Sequence, residues 1–195
     1  MRLILASASP RRAELLRAAG FEFDVVAVEV DEMLRGGELP AAYVRRLAGE
    51  KSATAVAKVA ADLKVRTTDF AIILGADTTV VVDSEILGKP VDADEAAAML
   101  RRLSGRRHEV LTGVSLRRGA YEVGRVETSA VHFAPLTAGD IAWYIASQEW
   151  RDKAGGYAIQ GLASRFIPRI EGSYSNVVGL PVACVHELIA GFPSP

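Results

Sequence analysis

The chain has 195 residues, half of them hydrophobic, and its 23 Lys and Arg face 24 Asp and Glu for a net charge of -1. Such a length supports one domain with a full core, or two small lobes sharing a sheet. The even charge leaves no bulk positive field to hold a nucleic-acid backbone, the apolar runs fall far short of the roughly 18 residues of a membrane span, and a lone cysteine, Cys184, excludes an internal disulfide framework and a cysteine-based metal cage.

Leu3-Ile4-Leu5-Ala6 reads as a strand. A helix follows, with Ser9 as N-cap, Pro10 at its first position, Leu15, Leu16 and Ala19 as its apolar side and Gly20 as its stop. Arg11 and Arg12 fall in its first turn, where each opposes the helix macrodipole by roughly 0.3–1 kcal/mol. A strand, a hydroxyl-bearing turn and a helix N-terminus with two guanidiniums together make a phosphate site. The other reading is a capped helix whose arginines face solvent, and this stretch alone leaves both open.

Residues 21–32, FEFDVVAVEVDE, alternate like a strand and end in Asp31 and Glu32. After the GGELP loop, Pro40 opens a long helix to about Leu63, with an apolar stripe of Val44, Leu47, Ala48, Ala55, Val59 and Leu63. Lys51 falls on that stripe. A cation on a buried face either snorkels outward or pairs with an anion, and the nearby Glu32 favours an anion site.

Ala71-Ile72-Ile73-Leu74 is apolar throughout, like a strand buried on both faces, and Asp77 follows it. Ligands of α/β sheets gather at the carboxyl ends of strands, which marks Asp77 as chemical rather than as an Asx-turn residue. VVVDSEIL reads as a hairpin around Asp83-Ser84, and GKP leaves Lys89 on a tight turn. Residues 92–105 form a helix with Asp92 as N-cap, Glu95 at the box position and Gly105 near its stop. Strands follow near 107–117 and 121–134. Thr137 then caps a helix through Trp143 and Tyr144, and the glycine-rich DKAGGYAIQG permits close backbone approach to a ligand. FIPRIEGSYSNVVGLP predicts another strand pair, and PVACVHELIAGF a closing amphipathic helix. His108, His132 and His186 lie too far apart for metal-ligand spacing.

Cations on turns and on a helix face (Arg11, Arg12, Lys51, Lys89) suit a polyphosphate, which they neutralise and hold for in-line attack. Two carboxylates, Glu32 and Asp77, suit a hard divalent cation such as Mg or Mn. Together they describe a phosphoanhydride hydrolase of mixed α/β class.

SASPRR, GEK, GADT, GKP, KAGGYAIQG and GSYSNVVGLP, in this order from Ser7 to Pro181, resemble the motif series of the Maf family of nucleotide pyrophosphatases. The resemblance implies one domain over residues 1–195. Its fold would be an elongated mixed sheet flanked by helices, with two lobes and a central cleft, related to the inosine triphosphate pyrophosphatase fold. It implies hydrolysis of a nucleoside triphosphate to the monophosphate and pyrophosphate with a divalent metal, Asp77 as proton acceptor, and Ser9, Arg12, Glu32, Lys51 and Lys89 at phosphate- and metal-handling positions. Gln160, Thr78 and Arg11 stand at the specificity positions and resemble the dTTP/UTP branch. A Gln amide offers an acceptor and a donor in one plane, matching the N3–H and carbonyl edge of uracil or thymine.

The resemblance alone implies a homodimer. Two readings compete with a housekeeping pyrimidine pyrophosphatase: a nucleotide-binding regulator linked to septum formation, and a pyrophosphatase acting mainly on modified nucleotides. A pure sensor has no need of a base at the attacking water, so Asp77 discriminates between enzyme and sensor. The expected partners are a nucleoside triphosphate, without nucleic acid or membrane, in the cytoplasm. Neutralising Arg12, Lys51 or Lys89 is expected to weaken triphosphate binding and to leave thermal stability nearly unchanged.

Overall fold

A computed structural model describes residues 2–62 and 71–193. Leu63 of the predicted stripe and Phe70 lie outside the described residues. Among these, a seven-stranded mixed sheet has the order β2-β1-β3-β5-β6-β7, with β4 paired to β3. The strands are β1 (Arg2–Ala6), β2 (Phe23–Val25), β3 (Ala71–Val82), β4 (Glu85–Leu87), β5 (Arg107–Arg118), β6 (Tyr121–His132) and β7 (Arg169–Glu171). β1 runs parallel to both β2 and β3, whereas β4 and β7 pair antiparallel to β3 and β6. The chain divides into two compact units. The first comprises Met1–Asp77, Thr112–Glu127 and Gly179–Pro195, and the second Thr78–Leu111 and Thr128–Val178.

In the first unit, strand alternation sorts side chains onto two helix-covered faces. Leu3, Leu5, Ile72, Leu74 and Ala76 pack with Ala13 and Leu16 of α1 (Pro10–Ala18) and with Cys184, Val185 and Leu188 of α6 (Val182–Ala190). Ile4, Ala6, Ala71 and Ile73 point the other way, onto Ala55 and Val59 of α2 (Pro40–Asp62). Coverage on both sides explains why these strands are apolar throughout. Each fully buried Leu or Ile contributes about 1.5–3 kcal/mol.

The docking of α2 depends on two glycines. A Cβ on Gly75 would lie 2.2 Å from the carbonyl oxygen of Ala48, and one on Gly113 would lie 2.1 Å from that of Val44. The helix backbone therefore rests directly on β3 and β5. A polar chain that starts from the buried Ser52 and Ser115 runs beside these contacts. Ser52 Oγ bonds Ser115 Oγ (2.8 Å), Ser115 Oγ donates to Glu122 (2.7 Å), and Arg45 grips both Glu122 oxygens (2.7 and 2.8 Å).

The second unit closes around Val80, Val82 and Leu87, the buried face of α3 (Ala93–Leu103), and Ile141 and Tyr144 of α4 (Ala138–Ala146). Asp92 caps α3 by accepting from the Glu95 N–H, as its sequence predicts, although the Glu95 carboxylate accepts from Val91 rather than from the cap residue. Thr137 and Asp140 form a reciprocal capping box on α4. The Asp83-Ser84 turn has φ of 52° and 64°, the primed hairpin geometry that follows strand twist.

Four local expectations need correction. Strand β2 spans only Phe23–Val25 of the stretch 21–32; the Val26 N–H still donates to the Leu5 carbonyl, the bond that completes the Leu5–Val25 pair, and the residues beyond it are not in the strand. Ala19 is the exposed C-cap of α1, and Ala13 joins Leu16 as its buried contact. The segment 166–181 gives one strand, β7, and a short helix α5 (Tyr174–Val178) instead of a strand pair. There Ser173 Oγ accepts from the Asn176 N–H, a local bond that favours a helical turn. Finally, Asp77 lies within β3 rather than beyond it, since β3 continues to Val82 to pair with β4.

Candidate active site

Parallel pairing of β1 with β3 ends at Ala6 and Gly75. Asp77 therefore stands two residues past the carboxyl end of the parallel segment, although its own strand continues. It shares strand parity with Ala71 and Ile73, which face α2. Gly75 lets the helix backbone close in one pleat earlier, and Lys51 meets Asp77 from α2.

Lys51 Nζ donates to Asp77 Oδ1 at 2.6 Å and to Glu32 Oε1 at 2.8 Å. The Lys51 and Asp77 side chains are each 10% exposed, and that of Glu32 is 41% exposed. The stripe residues Val44, Leu47, Ala48, Ala55 and Val59 are all buried, so the reading of α2 holds and Lys51 pairs instead of snorkelling. A cation held this way is not a solvent-held charge. The expectation that neutralising it leaves stability unchanged does not apply.

Arg12 turns back on the link between β1 and its own helix. Its Nη1 donates to Ser7 Oγ (3.1 Å) and its Nε to the carbonyl of Gly179 (2.8 Å). Burial lowers the guanidinium pKa and Arg11 reinforces this, while Asp77 and Glu32 oppose it. The first-turn arginine is thus built into the structure and is not a solvent-facing charge. Ser9 occupies the N-cap position and its hydroxyl makes no capping bond, while its N–H donates to Ser7 Oγ.

The loop carrying Glu32 is fastened to α2. Tyr43 Oη donates to the Glu32 carbonyl, and Arg46 forks onto Glu38. That fork holds the Glu38 carboxyl down at about 2. Burial, with the charges of Asp77 and Glu32, pushes the Tyr43 phenol up to about 12 and keeps it a donor.

Arg11, Arg12, Ser9, Glu32, Lys51 and Asp77 all belong to the first unit, and Thr78, Lys89 and Gln160 to the second. Thr78 follows Asp77 on β3 and is partly buried, and Lys89 is exposed on the turn after β4. Gln160 is exposed and lines an open pocket of about 480 Å³ with Ile159, Ser164, Arg169 and Tyr174. Behind it the backbone is held firmly. The Tyr157 hydroxyl bonds His108 Nε2 (2.8 Å), Ala158 N–H donates to the Tyr144 hydroxyl (3.2 Å), and Gly155 N–H donates to the Gly88 carbonyl (2.9 Å). Desolvation by burial lowers the His108 pKa to about 4.

Sequence reasoning missed Ser7, Tyr43, Arg46 and the chain from Ser52 to Arg45. One signal was available: Ser52 adjoins Lys51 on a helix face that is otherwise apolar. Among the described residues no group of three or more His, Cys, Asp or Glu gathers, and no helix is long and apolar enough to cross a membrane.

The site can be set beside known proteins. The chain is 52% identical over 193 residues to the dTTP/UTP pyrophosphatase of Hahella chejuensis, covering 98% of this chain and 92% of that protein. It is 49% identical over 193 residues to that of Symbiobacterium thermophilum, covering 99% and 95%. The solved Ham1 protein of Staphylococcus aureus aligns with a TM-score of 0.47 and 13% identity, over 69% of this chain and 72% of that one. The model of the family described as Maf-like protein matches residues 2–192, and the chain belongs to that family.

Proposed function

We propose that this protein is a dTTP/UTP pyrophosphatase, which hydrolyses pyrimidine nucleoside triphosphates to the monophosphate and pyrophosphate as one catalytic domain. The observation that carries this reading is the buried Asp77, linked through Lys51 to Glu32 past the end of a parallel strand pair. The names of the full-length relatives supply the substrate.

In this reading Asp77 accepts the proton of a water that attacks the α-phosphorus in line with the leaving pyrophosphate. Lys51 holds that carboxylate in place and offsets its charge when the anionic substrate enters. Arg12, fixed by Ser7 and Gly179, presents a preoriented guanidinium to phosphate oxygens, with Arg11 and Ser9 at the same helix start. In the second unit Lys89 is given to the polyphosphate, and Gln160 and Thr78 to the base edge.

Glu32 and Asp77 are a hard oxygen-donor pair. Mg²⁺ is commonly held by one or two carboxylates together with substrate phosphates, so the donors fit Mg²⁺ or Mn²⁺ without a larger protein cage. A divalent cation there supplies Lewis-acid polarisation of a phosphoryl oxygen. The buried, single Cys184 suits a reducing cytoplasm.

Turnover across the common nucleoside triphosphates in Mg²⁺, with phosphate and pyrophosphate measured separately, tests the reading. Pyrophosphate released from dTTP and UTP ahead of purine nucleotides is the expected result. Tight nucleotide binding without turnover would replace the enzyme by a sensor.

A further inference from the structure

Residues 26–39 join β2 to α2 and carry Glu32. Apolar packing does little to hold the far end of this segment, since Met33, Leu34 and Leu39 are 75%, 53% and 72% exposed. Hydrogen bonds from α2 hold it instead. Tyr43 Oη donates to the carbonyl of Glu32 (3.0 Å) and Arg46 Nη2 to the carbonyl of Met33 (3.1 Å), so two consecutive peptide carbonyls are gripped from one helix. Arg46 also closes the end of the segment through Glu38, at 2.7 and 2.8 Å, and Arg35 reaches Glu50 at 3.0 Å. Tyr43 and Arg46 are three residues apart and therefore neighbours on the helix surface. Lys51, two turns beyond Tyr43, takes the Glu32 carboxylate.

The geometry points to Tyr43 as a positioning residue. Its bond to the Glu32 carbonyl, seconded by Arg46 on Met33, fixes the peptide from which the Glu32 carboxylate reaches Lys51, and so presets an oxygen donor for the divalent cation. A carboxylate on an untethered, solvent-washed loop must be ordered when the cation binds. Tethering its backbone removes that cost beforehand, as outer partners of metal ligands do. The role rests on the reading of Glu32 as a metal-holding residue.

Tyr43→Phe deletes one oxygen and keeps the ring, including its stacking under the Arg46 guanidinium at 5.6 Å. Mn²⁺ binding, followed by electron paramagnetic resonance with a dUTP analogue carrying an imido bridge between the α and β phosphorus, is compared in the parent, Tyr43→Phe and Glu32→Gln proteins. Steady-state rates are taken over a range of Mn²⁺ in parallel, with thermal melts to verify folding. The expected result is Mn²⁺ affinity roughly three- to ten-fold weaker in Tyr43→Phe, the loss of one hydrogen bond, with kcat at saturating Mn²⁺ close to that of the parent. Parental Mn²⁺ affinity in Tyr43→Phe beside weakened affinity in Glu32→Gln overturns the positioning role and leaves Glu32 with the metal. Parental affinity in both removes Glu32 from the metal and the role of Tyr43 with it. A fall in kcat with unchanged Mn²⁺ affinity also overturns the proposal.

Discussion

Lys51 Nζ lies 2.6 Å from Asp77 Oδ1, a pair in which each side chain is 10% exposed. Asp77→Asn keeps the shape of this contact and removes both the charge and the proton acceptor. Turnover should fall by a factor of roughly 10²–10⁴, the range for a positioned general base, while nucleotide binding is retained. A variant that keeps near-parental kcat would make Asp77 a structural partner of Lys51 and place the base elsewhere.

Removing the other member of the pair has a different signature. Lys51→Met leaves the Asp77 carboxylate buried without its cation, and breaking a buried pair from one side is costly. A loss of about 3 kcal/mol in unfolding free energy, at the low end of the range for such pairs, is expected because the 41% exposed Glu32 can rehydrate. Lys89→Met, on an exposed turn, should leave stability within about 0.5 kcal/mol. Urea unfolding of the two variants decides the matter. Equal stability would mean that the Lys51 pair contributes nothing to the fold.

The acid limb of stability should report His108. Its folded pKa of about 4 lies below the ordinary 6.5, because burial disfavours the imidazolium. Between those values the unfolded chain binds more protons, so the stabilisation is complete above about pH 6.5 and is lost as pH falls toward 4. The loss is on the order of 3 kcal/mol. His108→Gln lacks this titration, and its stability should change less over the same window. Parallel curves for the two proteins would show that His108 does not titrate between the two states.

Selection of the base is the least local of these effects. Gln160→Glu replaces a donor-and-acceptor amide by a group that only accepts, which should repel pyrimidine carbonyls and tolerate the N–H-rich edge of guanine. The expected drop in kcat/KM for dTTP and UTP is roughly ten- to a hundred-fold, or on the order of 1–3 kcal/mol, with a relative gain for guanine nucleotides. An unchanged ranking of substrates would remove Gln160 from base selection.

Lys51 was legible in the sequence because it interrupts an apolar stripe, and a buried cation needs an anion. Asp77 was legible as a carboxylate following a buried strand but not as a mid-strand residue. The apolar Val80-Val81-Val82 extends β3 to meet β4, and no local signal marks where parallel pairing ends. The partners of Arg12 were hidden for another reason, since its Nε bond reaches a carbonyl 167 residues away. Tyr43 and Arg46 were invisible because they bind backbone carbonyls, which every residue carries. The periodicity of α2, the Asp92 and Thr137 caps and the hairpin at Asp83-Ser84 are short-range physics and could be read directly. Loop fastening is set by tertiary contact and could not.

The chain passes between its two compact units four times, at 77/78, 111/112, 127/128 and 178/179. No contiguous gene fragment therefore encodes either unit. The first passage falls on the peptide bond between Asp77, assigned to water activation, and Thr78, assigned to base choice. A single crossover therefore cannot exchange either unit whole, as it can with beads joined by linkers.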